Sequence, residues 1–91
     1  MALYTWYERN QRLMASVMRD AEHHAGVREV STLRFGPPMA ALNDVLGEGL
    51  DAHQRTLLRV ALSFFTWRTL TADVGLGRKA AINAMVQAIT P

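Results

Sequence analysis

The sequence predicts an all-α fold, a small helical bundle of four main helices plus a short one, with residues 1–91 as a single domain. Apolar residues recur at three- and four-residue spacing along most of the chain. No stretch alternates with the period of two that a half-buried strand requires, and glycines and prolines fall between the periodic runs. At 91 residues, 49% hydrophobic and 20% charged, the composition is that of a globular chain near the size where one core is only modestly stable.

Taken in order, Ala2 to about Ala25 reads as one long amphipathic helix. Leu3, Trp6, Tyr7, Leu13, Met14, Val17, Met18 and Ala21 form one face, with Glu8, Arg9, Arg12, Ser16, Arg19 and Asp20 on the other. Glu8 and Arg12 make a favourable pair four residues apart. Asn10 interrupts the apolar face, where its amide needs a partner from a neighbouring helix or from a ligand. Gly26 is the expected left-handed stop. Val27, Val30 and Leu33 allow a short helical piece before Gly36, Pro37 and Pro38 break the chain. Met39, Leu42, Val45, Leu46 and Leu50 resume at helical spacing, and Gly47 and Gly49 loosen that helix's end. Asp51 and Gln54 form a capping box that starts the central helix. Gly75, Leu76 and Gly77 end it, and Arg78 to Ile89 forms the last helix. There Ile82, Met85, Val86 and Ile89 make an apolar stripe beside the small residues Ala81, Ala84 and Ala88.

The central stretch from Arg55 to Thr71 is the most apolar. Its apolar side chains spread over an arc of roughly 220°, against the roughly 100° that a surface helix of a small domain buries. A second subunit is the simplest cover for the excess. Arg68 falls inside the arc. Its head either meets an acceptor such as Glu8, Asp44, Glu48, Asp51 or a helix end, or reaches water over an apolar stem.

The chain has no cysteine, which excludes a disulfide framework and a thiolate metal site. Glu22, His23 and His24 are adjacent on a helix and diverge, so no metal is expected. No cofactor is expected either. The longest apolar run is far short of a bilayer span and the first residues lack a signal layout, so a soluble, cytoplasmic chain away from membranes is expected. Net charge is +2, too little to mark a nucleic-acid surface by itself.

ALYTWYERNQRLMASVMRD resembles the helix that follows the DNA-binding part of tetracycline-repressor-like (TetR family) transcriptional regulators. ALSFFTWRTLTADVGLGRKAAINAMVQAI is similar to the last two helices of the same regulators. The resemblance covers most of the chain and is weakest around Gly36, Pro37 and Pro38. It implies an effector-binding and dimerisation domain whose last two helices pair with a second subunit as a four-helix bundle, making a homodimer. The DNA-binding part of those regulators has no counterpart in these residues. Gly77, Arg78 and Lys79 also stand where the family has a serine cap and an acidic first turn.

On this reading Leu57, Val60, Ala61, Phe64, Trp67, Arg68, Ala81, Ala84, Met85 and Ala88 are the expected dimer interface. Trp6, Asn10, Met14, Met39, Leu42 and Phe65 are the candidate pocket for a small apolar or aromatic effector. Specific DNA binding by this chain alone is not expected. The rival readings are a helix-turn-helix near residues 69–85, with Arg78, Lys79 and Asn83 facing DNA, and a structural dimer with no ligand. No serine, histidine and acid stand in a catalytic motif, so no enzyme is expected.

Overall fold

The computed structural model describes residues 2–90. It is all-α, 84% helical with six helices, and no strand occurs among the described residues. The helices are α1 (Ala2–Arg9), α2 (Gln11–His23), α3 (Ala25–Leu46), α4 (Ala52–Ala61), α5 (Phe64–Arg68) and α6 (Arg78–Ile89). A π-helical turn, Thr69–Asp73, continues α5. Among the described residues, no helix is long and apolar enough to cross a membrane.

Four boundaries differ from the sequence expectation. The single first helix is two rods, α1 and α2, joined at Asn10 (φ −115°, ψ 20°). The Asn10 amide donates back to the Trp6 carbonyl at 2.9 Å, and such local bonding by asparagine competes with regular helix. The next break falls at His24, whose extended backbone (φ −129°, ψ 112°) separates α2 from α3. Gly26 is therefore not a left-handed stop but the second residue of α3. The Arg28 guanidinium caps α2 instead, with Nε donating to the Ala21 carbonyl at 3.1 Å.

The prolines do not break the chain. Helix α3 runs for 22 residues through Pro37 and Pro38. The clash between a proline ring and the preceding residue involves that residue's Cβ and N–H; before Pro37, Gly36 has no Cβ, and before Pro38, Pro37 has no N–H. The helix ends at Leu46, and Gly49, at φ 78°, takes the left-handed turn into α4.

The start of α4 is as expected. Asp51 Oδ1 accepts from the Gln54 backbone N–H at 2.8 Å, and Gln54 Oε1 accepts from the Asp51 N–H at 3.0 Å. Gln54 Nε2 also donates to the Ile89 carbonyl at 3.0 Å, tying α4 to the end of α6.

The central helix, expected to be continuous, stops after Ala61 and restarts at Phe64. Ser63 is the reason on the C-terminal side: its backbone is extended and its Oγ accepts from the Phe65 N–H at 3.2 Å, as an N-cap does. On the other side the carbonyls of Ala61 and Leu62 accept from the Tyr4 and Tyr7 hydroxyls, each at 2.6 Å. Both phenols are buried, and burial pushes both hydroxyl pKa values up, that of Tyr7 from 10.0 to about 12.

The core forms around this contact. Tyr4, Tyr7, Met14, Phe64, Trp67 and Ala81 make one buried cluster. Tyr7 and Phe64 meet edge to face, 5.5 Å between centroids and 80° between planes. At the far end, the Val74 N–H reaches back five residues to the Thr69 carbonyl, and Gly75, at φ 84°, turns the chain into α6.

Replacing Tyr4 or Tyr7 with phenylalanine leaves a buried carbonyl without its donor. Each change is expected to cost about 1 to 3 kcal/mol in urea unfolding, with no change in helix content of the folded state.

Raised phenol pKa values mean that the folded state holds its protons more tightly than the unfolded chain. The stabilisation is therefore complete below about pH 10 and is lost as pH rises towards 12. Unfolding midpoints measured from pH 8 to 12 should fall steeply in that window, by more than those of the Tyr7→Phe variant.

Candidate functional site

Helices α1 and α2 on one side and α3 on the other leave a cleft of about 770 Å³ between them, closed at one end by the start of α5. It forms because α3 packs against α2 and α4 yet contributes no fully buried residue. Its inner stripe stands off the core. Trp6, Met14, Met39, Leu42 and Phe65, expected as pocket residues, all line this cleft. Four separate helices bring them together. Met14 belongs to the buried floor, whereas Trp6 and Phe65 are 38% and 42% exposed at the mouth. Asn10 is not among the lining residues, since its amide is turned to its own helix.

Among the lining residues outside that expectation, three change the character of the wall. Phe35 projects from α3 onto Trp6, edge to face at 6.4 Å. Arg28 and Arg34 add two positive charges to the wall. The chain around Phe35 reads as broken by Gly36 and the prolines, so neither its register nor that of the arginines is visible beforehand. Once α3 is known to be continuous, the spacing of residues 28, 31, 35, 38, 39 and 42 places them on one stripe.

The residues expected at a dimer interface divide in two. Ala61, Phe64, Trp67 and Ala81 are 1%, 2%, 5% and 0% exposed within the single chain, so they belong to its own core and offer no face to a partner. Val60, Arg68 and Ala88 are exposed, and Leu57, Ala84 and Met85 are half-buried. The excess apolar arc of the central stretch is absorbed largely by the break at Leu62 and Ser63, which turns α5 relative to α4.

Arg68 does not meet a carboxylate. It is exposed, with its guanidinium 5.5 Å from the Phe64 ring centre and 5.1 Å from that of Phe65. Glu8, offered above as its partner or that of Arg12, pairs with Arg78 at 3.2 Å. That pair brings a carboxylate to the N-terminus of α6, whose Gly77, Arg78 and Lys79 supply neither a side-chain cap nor acid. It also engages one of the side chains that a DNA-reading helix would use. His23, His24 and His53 are all exposed, and no three metal-ligating side chains gather among the described residues.

Comparison with protein-family models, with curated proteins and with solved structures gives no match to this chain.

Because Arg68 lies on two aromatic faces with its head in water, Arg68→Met is expected to change stability by less than about 1 kcal/mol in denaturant titration. A loss of about 3 kcal/mol or more would instead mean that Arg68 meets a buried acceptor across an interface.

Proposed function

We propose that this chain is an effector-sensing module of the type found in tetracycline-repressor-like transcriptional regulators, working in the cytoplasm as a homodimer. The observation that carries the reading is the cleft. Apolar and aromatic side chains from α1, α2, α3 and α5 converge on a volume of about 770 Å³, within the range of small-molecule sites. The resemblance of the first helical stretch and of residues 61–89 to those regulators supports it from the sequence.

A ligand in this cleft touches Ser63, Phe64 and Phe65, the residues at the break between α4 and α5. Occupancy therefore acts on the joint where the segments resembling a dimerisation region begin. A ligand shifts such a joint only as far as it binds one arrangement better than another. Val60, Ala84, Met85 and Ala88 are the surface left for a second copy.

A thermal-shift screen of the full chain against small apolar and aromatic compounds tests the sensing role. A ligand that binds only the folded state at a hundred times its Kd adds about 2.7 kcal/mol, a rise of several degrees for a chain of this size. Light scattering of the same samples should give the mass of a dimer at micromolar concentration. A stable monomer whose Tm no compound raises would overturn the proposal, and a specific gel shift by the chain alone would favour the helix-turn-helix rival.

A further inference from the structure

The polar groups of the cleft are not scattered. On the α3 wall Arg28, Ser31, Thr32 and Arg34 occupy the first half of the lining stripe, and Phe35, Pro38, Met39 and Leu42 the second. From Arg28 to Leu42 the stripe runs about 21 Å at roughly 1.5 Å per residue. The cleft is therefore long and divided along its length, polar near the α2–α3 junction and apolar towards α5.

The polar half is also charged with one sign. No lining side chain is acidic. The positions three and four residues away from Arg34 are Val30, Ser31, Pro37 and Pro38, and those around Arg28 are His24, Ala25, Ser31 and Thr32, so neither arginine has a carboxylate within helical reach. Arg34 makes no hydrogen bond or ion pair among the described residues. Arg28 donates Nε to the Ala21 carbonyl at 3.1 Å and Nη2 to the Glu22 carbonyl at 3.5 Å, and neither acceptor is a carboxylate. Both side chains are exposed at the edge of the cleft, where beside apolar walls their unneutralised guanidiniums attract an anion.

Resting on the reading of the cleft as an effector site, we infer that its ligand is an amphiphilic carboxylate, with an elongated apolar body lying between α2 and α3 and its anionic head beside Arg34 and Arg28. An uncharged apolar compound of the same shape fills the apolar half and leaves both guanidiniums without a counter-charge. A cationic one is repelled.

Dodecanoate, dodecanol and dodecylammonium, used below their micelle-forming concentrations, share a tail and differ in the head. Calorimetric titration of the full chain should show dodecanoate binding at least about tenfold tighter than dodecanol, with dodecylammonium weakest. Arg34→Gln should weaken dodecanoate by about tenfold and leave dodecanol unchanged. This variant is chosen because Arg34, unlike Arg28, caps no helix. Equal affinity for acid and alcohol, or an Arg34→Gln variant that binds dodecanoate undiminished, overturns the anion inference while the apolar-effector reading stands. Failure of all three probes and of the aromatic compounds above removes both. Binding that appears only on dilution to monomer assigns the cleft to a second copy and overturns the inference.

Discussion

The fold depends on two phenol hydroxyls meeting two backbone carbonyls. A helix interrupted in a protein interior exposes carbonyls that no longer have a donor four residues on, and such groups are costly to bury unpaired. Tyr4 and Tyr7, three residues apart on α1, supply donors to Ala61 and Leu62 from the opposite side of the core. This exchange lets the apolar segment after α4 bend. The bend puts Phe64 and Trp67 against α1 and leaves Phe65 at the cleft mouth. Core, break and cleft are thus consequences of one contact more than 50 residues apart in sequence.

Much of the architecture is legible in the sequence, for local reasons. Class, the Asp51 capping box, the glycine turn before α6 and the bounds of α6 follow from spacing and capping chemistry. The interruptions are less legible because each depends on what surrounds it. Ser63 reads as one more polar residue on a helix flank until the tyrosines arrive to satisfy the carbonyls before it. Tyr4 lies outside the apolar stripe drawn through Leu3, Tyr7 and Met14, yet it is wholly buried. His24 carries no side-chain signature of a helix break. Pro37 and Pro38 signal a stop that the chain passes through, eased at Pro37 by the missing Cβ of Gly36.

The cleft residues divide along the same line. Trp6, Met14, Met39, Leu42 and Phe65 are apolar at helical spacing, and such residues converge wherever helices pack, so their gathering is visible in advance. Asn10 is not drawn in because its amide is satisfied within α1. Phe35 and the two arginines escape notice because their placement depends on the continuity of α3. Of the residues expected between subunits, both aromatic ones, Phe64 and Trp67, are spent on the chain's own core. A break that reorients five residues is enough to turn an apparent excess of apolar surface into interior.

Pro37 and Pro38 have one more consequence. Neither has an N–H, so the carbonyls of Leu33 and Arg34 lack the donors that would close the helix at those two steps. The outer wall of the cleft therefore carries a crease halfway along, opposite Trp6, where bending costs less than elsewhere in α3. A wall with such a crease at mid-length can adjust its distance from α2 without unfolding at either end, so the width of the groove is set by the bend of α3 as well as by its packing.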